Sequence, residues 1–469
     1  MSPMRQSLAL VSAALLVSAL ASPLRAQPTP DFSELERTAL DEMVATGTPG
    51  LAVAVIRGDR VVFARGLGVA NVETGAPVMP DTLFRVGSVT KVLTAAAVVT
   101  LAQEGKLSLD APLSKKDKKL DPKLGQVTLD QLLSQTAGLR DIPGEDGHEH
   151  GDESLDRFVD WLVTRDTRVV LLPPGTAFSY SNAGYAVAGS MLTRAVGKPY
   201  ADAMDEILFK PLGMTRTTLR PTVAMTYPLA VGHVISELGK PTVRRPVADD
   251  ARLWPAGYAF SSVNDLSRFL IAVLNGGQVD GRQALRSGVA AQLLTPHVPI
   301  PTNVFRNGAY GYGFFLQDDR GMRRAEHGGE LPGYGAEIRM FPERRVAVIV
   351  LMNRDVVRFN KTFDKAFDLL LGPKPKEEVA PPPAELKMTP EEMADYAGRY
   401  VNHWPVELYV NDGQLFLSRQ KGPLPVTKIG EHRFRVTPKG GRPQEFLIFP
   451  ATEDRPGYLQ MFIWVYRKG

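Results

Sequence analysis

Apolar residues recur at Phe32, Leu35, Ala39 and Met43, a helical period that predicts a helix over 32–45, ended by Gly47-Thr48-Pro49. Two short β-rich runs follow at 51–56 and 60–64, and Arg57-Gly58-Asp59 between them predicts a hairpin. The segment 88–103 is apolar on most sides, at Val89, Leu93, Ala96, Val99 and Ala102, and closes at Gly105. That is the pattern of a long helix buried at the centre of a domain. Thr128-x-x-Gln131 has the form of a capping box opening another helix. A further apolar helix is expected over 186–196, and β-rich runs at 336–341 and 346–352 predict late strands.

After Leu371 the chain turns to Gly372-Pro373-Lys374-Pro375-Lys376 and Pro381-Pro382-Pro383, the composition of a stiff, exposed linker. Seven closely spaced β-rich runs come next, at 396–403, 406–410, 415–418, 425–429, 433–436, 445–449 and 458–466. Asn411-Asp412-Gly413 supplies a hairpin turn, and together they predict a small meander barrel.

At the other end, Arg5, an apolar run over 8–21 and Ser22-Pro23 have the layout of a secretory leader, too short to span a membrane. The expected divisions are a leader at 1–26, a main domain at 27–372, a linker at 373–388 and a barrel at 389–469. The formal charge of +4 includes Arg5 and Arg25 of the leader, so no basic patch argues for nucleic acid. With no cysteine there is neither a disulfide nor a lipid-modified Cys, and the mature chain is expected outside the cytoplasm, periplasmic or secreted, without membrane insertion.

Three short segments carry chemistry. Ser88-x-x-Lys91, at the predicted start of the central helix, puts a hydroxyl and an amine on one helical face. A Ser is a weak nucleophile unless a neighbour takes its proton, and a buried Lys is able to do so. Tyr180-Ser181-Asn182 places a phenol and an amide two residues apart on a tight loop, one to carry protons and the other to fix substrate. His327-Gly328-Gly329 lies on a β-rich run, where two glycines are kept if a backbone or a ligand must come close. The run Glu145 to Glu153, with His148 and His150, lacks a rigid element to fix metal geometry and is expected to be an exposed loop. No metal and no cofactor is expected: neither Gly66-Leu67-Gly68 nor the glycines at 308–313 complete a nucleotide-binding loop. The chain also lacks Gly-x-Ser-x-Gly, which argues against an α/β-hydrolase.

In the order Ser-x-x-Lys, Tyr-x-Asn, His-Gly-Gly, these segments resemble the active-site triplet of the serine β-lactamase and penicillin-binding-protein superfamily. The likeness is to its class C β-lactamase branch with D-alanyl-D-alanine carboxypeptidase, D-aminopeptidase and esterase relatives. It runs from about Asp31 to Leu371 and includes Pro173-Pro174-Gly175, Pro211-Leu212-Gly213-Met214, Pro255-Ala256-Gly257, Leu274-Asn275-Gly276-Gly277 and Met352-Asn353. The resemblance implies an α+β fold, an antiparallel sheet flanked by terminal helices with an inserted all-helical region. The tail is similar to the lipocalin-like barrel often appended to this branch, with a role in covering the site, in oligomers or in binding a ligand.

Carried over by position, the resemblance makes Ser88 the acylated nucleophile, Lys91 its partner and Tyr180 a general base whose pKa Lys91 holds down. Asn182 and Gly329 would contact substrate, and the backbone N–H groups of Ser88 and Glu330 would form the oxyanion hole. His327 stands where β-lactamases of this branch carry the Lys of Lys-Thr-Gly, and is expected to act as a neutral hydrogen-bond donor. Without that Lys and Thr, a substrate carboxylate meets no donor, and efficient penicillin hydrolysis is not expected. Leu132-Leu133-Ser134-Gln135-Thr136-Ala137-Gly138 also departs from the usual Leu-Leu-x-His-Thr-Ser-Gly. The implied activity is a serine hydrolase acting on small esters, amides or cell-wall-type peptides with a D-residue. The alternatives are a true β-lactamase and a non-catalytic penicillin-recognising receptor; the oligomeric state stays open.

Overall fold

The computed structural model describes residues 30–115, 122–142, 149–165, 169–355, 357–376, 381–418 and 422–469. The expected leader at 1–26, most of the Lys115–119 run and 143–148 of the acidic loop lie outside the described residues. The chain divides into Met1–Asp31 and Phe32–Gly469, and the second unit is described below.

Helix α1 (Ser33–Thr46) ends at Gly47, whose φ of 66° closes it in the left-handed region. Strands β1 (Gly50–Arg57) and β2 (Arg60–Gly68) form the expected hairpin. Helix α2 (Thr90–Gln103) is buried at every position from Thr90 to Leu101, and helix α3 (Asn182–Val196) packs against it. The capping box forms as expected, with Thr128 and Gln131 each bonding the other's backbone. The sheet is completed by β3 (Val298–Pro299), β4 (Ala309–Tyr310), β5 (Phe315–Asp319), β6 (Met322–Leu331), β7 (Tyr334–Phe341) and β8 (Val346–Met352). Its order is β2-β1-β8-β7-β6-β5-β4-β3, antiparallel throughout.

Strand periodicity explains why β1 and β8 are apolar on both faces. Leu51, Val53, Val55, Val348 and Val350 point to one side, against α1 and helix α4 (Asn360–Leu371), through Leu35, Ala39, Phe363 and Phe367. Ala52, Ala54, Ile56, Ala347, Ile349 and Leu351 point to the other and join the core built around α2 and α3. The result is three layers: terminal helices, sheet and helical region. Among the described residues, no helix is long and apolar enough to cross a membrane.

The tail forms a second, nearly closed antiparallel sheet of nine strands. They are β9 (Gly398–Val401), β10 (Pro405–Asn411), β11 (Gln414–Ser418), β12 (Leu424–Pro425), β13 (Thr427–Lys428), β14 (Arg433–Val436), β15 (Gln444–Phe449), β16 (Tyr458–Met461) and β17 (Trp464–Lys468). Seven runs became nine strands for two reasons. The run 425–429 is shared between β12 and β13, and 458–466 reverses on itself: Met461 pairs with Trp464, leaving Phe462-Ile463 as a two-residue turn with Phe462 at φ 54°. That turn lacks the Gly or Asn that usually marks one. Tyr396, expected in the first strand, instead ends the helix Pro390–Tyr396. Side chains of Tyr400, Leu415, Leu417, Phe434, Phe446 and Leu459 fill the barrel interior.

The β16–β17 hairpin lies against the segment that carries Tyr180. Tyr180 N–H donates to Ile463 O (2.8 Å), Val465 N–H to Ser179 Oγ (3.1 Å), Gln460 Nε2 to Phe178 O (3.0 Å) and Thr302 Oγ1 to Phe462 O (3.1 Å). Phe178, Tyr310 and Phe315 share one apolar cluster with Ile463 and Trp464, so the barrel and the main sheet have a common core. Replacing the buried Phe178 by Ala is expected to cost about 3–5 kcal/mol. In urea, the midpoint should fall for barrel and hydrolase signals together; a barrel signal that stays put would show that the two melt independently.

Candidate active site

Ser88 sits in the single 3₁₀ turn Gly87–Val89 that feeds α2, and Lys91 follows one turn later, fully buried. Lys91 Nζ lies 3.1 Å from Ser88 Oγ and donates to Asn182 Oδ1 (2.7 Å) and to the Ala256 carbonyl (2.6 Å). Asn182 is the first residue of α3, whose N-terminus is capped by the Ser181 hydroxyl. Ala256 comes from the short helix Trp254–Gly257. Burial pulls the Lys91 pKa down to about 7, while the charge of Asp141 acts in the opposite direction.

Tyr180 is also buried, and Lys91 Nζ lies 4.7 Å from its ring centroid. Burial pushes the phenol well above its ordinary range, and a hydrogen bond with Ser88 pulls the other way. This corrects the expectation that Lys91 holds the Tyr180 pKa down: desolvation of the phenolate dominates, with the charges of Tyr310 and Asp141 acting in the same direction.

His327 is 1% exposed and its pKa is drawn down to about 3, first by burial and then by the Lys91 charge. The ring is therefore neutral, but the expected role as a donor to the site changes. Its Nδ1 faces the Gly328 carbonyl at 2.6 Å, which assigns the proton there, and Nε2 faces the Tyr310 hydroxyl at 3.4 Å as acceptor.

Strand β6 is paired with β5 only over Met322–Glu326 but with β7 as far as Leu331, so from His327 onward one side is without a strand partner. The Ser88 turn closes on that side. A Cβ added at Gly87 would overlap the Glu330 backbone nitrogen, and one at Gly329 would overlap the Val86 carbonyl and sit 2.8 Å from Ser88 N. Both glycines are needed for the approach, which brings the amides of Ser88 and Glu330 together. The Glu330 carboxylate pairs with Arg358 at the rim.

These groups open on a cavity of about 670 Å³ whose far wall belongs to the barrel: His403, Trp404, Phe462, Ile463 and Trp464. Sequence reasoning did not single out that wall, Ala256 O or Asp141. Asp141 Oδ1 accepts from the Asn182 backbone (2.8 Å) and its Nδ2 (3.2 Å). Of the acidic loop, His150 Nδ1 faces Asp249 Oδ2 at 3.1 Å, and Asp249 also binds the buried Arg85.

The Beta-lactamase family matches residues 35–373 of this chain. Penicillin-binding protein 4 of Amycolatopsis lactamdurans is 32% identical over 366 residues, 75% of this chain and 93% of that protein. The crystal structure of SurE with D-Leu is 25% identical, covers 93% of this chain and 99% of its own, and superposes with a TM-score of 0.74. The octameric penicillin-binding protein homologue from Pyrococcus abyssi shares the fold at 24% identity and TM-score 0.67, over 93% of this chain and all of its own. A Ser on the cavity wall beside a buried Lys, between a helical region and an antiparallel sheet, is the architecture of the β-lactamase-fold serine hydrolases. The chain belongs to the Beta-lactamase family.

The glycine geometry yields a paired prediction. Gly329→Ala should slow labelling by a fluorophosphonate by about 10²-fold or more, the loss typical of one displaced oxyanion donor. Gly328→Ala, whose Cβ would meet nothing nearer than Ala336 O at 3.9 Å, should label at close to the wild-type rate. Equal rates for the two variants would remove the amide pair from consideration.

Proposed function

We propose that this protein is an exported acyl-transferring serine hydrolase that acts on esters or on peptides bearing a D-residue, through an acyl-enzyme on Ser88. The observation that carries the reading is Lys91: fully buried, 3.1 Å from Ser88 Oγ, and with a pKa near neutrality. Asn182 Oδ1 and Ala256 O are acceptors only, so they take two N–H bonds of the neutral amine. Its lone pair is then left for the Ser88 proton. As that proton moves to Nζ, Oγ bonds to the substrate carbonyl carbon, and the carbonyl oxygen gathers charge beside the Ser88 and Glu330 amides. Collapse breaks the bond to the alcohol or amine, which leaves with a proton passed from Lys91 through the Tyr180 hydroxyl. Tyr180 serves as a protonated phenol that relays, in keeping with its raised pKa. Water then repeats the sequence on the acyl-enzyme.

The absence of Lys and Thr from His327-Gly328-Gly329 favours substrates that carry no carboxylate next to the scissile bond. The D-leucine in the SurE structure supports a substrate that bears a D-residue. Purified protein assayed against p-nitrophenyl esters, D-aminoacyl amides, D-Ala-D-Ala peptides and a chromogenic cephalosporin should turn over the first two classes faster than the last. Ser88→Ala should abolish turnover and covalent labelling, and labelling that survives would overturn the nucleophile. Export rests on the 1–26 pattern, and N-terminal sequencing of the protein from the extracytoplasmic fraction tests it.

The pH profile follows from the two shifted groups. A general base works when deprotonated, so kcat/KM should rise with pH through about 7 as Lys91 loses its proton. His327, with a pKa near 3, should add no limb between about pH 6 and 8. His327→Gln should therefore keep at least about a tenth of kcat/KM and the same profile. His327→Lys should instead favour substrates that bear a carboxylate. Lys91→Arg, which holds its proton throughout, should lose most activity with the fold intact; an active Lys91→Arg enzyme would make the Lys a structural cation.

A further inference from the structure

A continuous line of hydrogen bonds runs from the barrel to Lys91. Trp464, the first residue of β17, donates Nε1–H to Asp141 Oδ2 (3.1 Å). The other oxygen, Oδ1, accepts from the Asn182 N–H (2.8 Å), from Asn182 Nδ2 (3.2 Å) and from the Ile142 N–H (2.9 Å). Asn182 Oδ1 in turn accepts from Lys91 Nζ (2.7 Å). The barrel also holds Asp141 by its backbone. Asp141 N–H donates to Asn402 Oδ1 (3.0 Å), and Asn402 Nδ2 donates to Val465 O (2.7 Å). Asp141 is 6% exposed, and the donors around its carboxylate are all neutral.

An amide side chain has one accepting end and one donating end, and its orientation is set by what each end faces. An ionised carboxylate accepts only, so Asp141 holds Asn182 Nδ2 toward itself and turns Oδ1 toward Lys91. We infer that Asp141 is a positioning residue for the acylation step, that it acts through Asn182 on Lys91, and that the barrel completes it through Trp464. The tail is then part of the catalytic apparatus in addition to being a wall of the cavity. This inference rests on the reading of Lys91 as the base.

A purely structural strut would hold Asn182 in place without influencing the titration of Lys91. Asp141 does both, because its buried negative charge favours the ammonium form. The other groups facing Lys91 are Ser88, the rings of Tyr180 and Tyr185, neutral His327 and the Ala256 carbonyl. Facing Asp141 from the barrel is His403, whose pKa is lowered by burial and raised by the Asp141 charge.

The test is the pH dependence of kcat/KM on an activated ester for the full-length wild type, Asp141→Asn, Trp464→Phe, the double variant and His403→Gln. Asp141→Asn should move the acid limb to lower pH by about half a unit and lower the plateau by about tenfold. Trp464→Phe should lower the plateau by a smaller factor and add nothing in the Asp141→Asn background, since the shared contact is already lost. His403→Gln should leave the position of the limb where it is. An unmoved limb in Asp141→Asn, or losses that multiply in the double variant, would overturn the inference. Where Asp141→Asn fails to fold, Trp464→Phe alone decides: a plateau and limb equal to wild type count against it. A wild type with no limb near neutrality would instead remove the base reading, and this inference with it, whereas a wild-type limb that Asp141→Asn does not shift removes this inference alone.

Discussion

A lysine amine stands in the middle of an apolar core, and the rest of the site is arranged around that cost. The difference between an ordinary Lys and one with a pKa of about 7 corresponds to something on the order of 5 kcal/mol against folding with the amine charged. Among the described residues no carboxylate touches Nζ to offset it; its contacts are a hydroxyl, an amide oxygen and a backbone carbonyl. A close ion pair would have raised the pKa and removed the reactivity. The burden falls on the packing of α2, buried at every position from Thr90 to Leu101, and on a sheet whose central strands are apolar on both faces.

Much of this was legible in the chain because it depends on local period. The central helix, the first hairpin, the capping box and the nucleophile turn are each specified by residues within a few positions of one another. The third segment was legible through its glycines: a strand that keeps Gly329 has a neighbour within van der Waals reach, and that neighbour is the Ser88 turn. What remained hidden depends on distant parts of the chain. Ala256 contributes a carbonyl, which every residue has, so no side-chain signature marks it. Asp141 is an ordinary loop aspartate until α3 and the barrel converge on it. The Phe462-Ile463 turn lacks turn residues because the surrounding contacts hold Phe462 at positive φ. The Tyr180 pKa was misjudged for the same reason: proximity to Lys91 is suggested by motif, whereas desolvation belongs to the packed state.

His327 shows how one position is reused. A Lys there would bring a second ammonium into a space already strained by the first. A neutral imidazole that spends its proton on its own strand carbonyl adds bulk and shape without charge. The charged side chains that line the cavity are then Asp141, Glu326, Glu337 and the Glu330–Arg358 pair at its rim, with Lys91 beside Ser88.

The bond between Asp141 and Trp464 joins residues 323 positions apart. At the usual pace of about 5–20 residues per second, a ribosome needs roughly 15–65 s to travel from one to the other. Ser88 and Lys91 exist throughout that interval, and Asn182 for most of it, in a chain that lacks one wall of its cavity and the partner of a buried carboxylate. With Trp464 inferred to complete Asp141, a nucleophile assembled in this order reaches its working geometry only after the barrel has been made. Synthesis itself thus delays the moment at which the hydrolase is able to act.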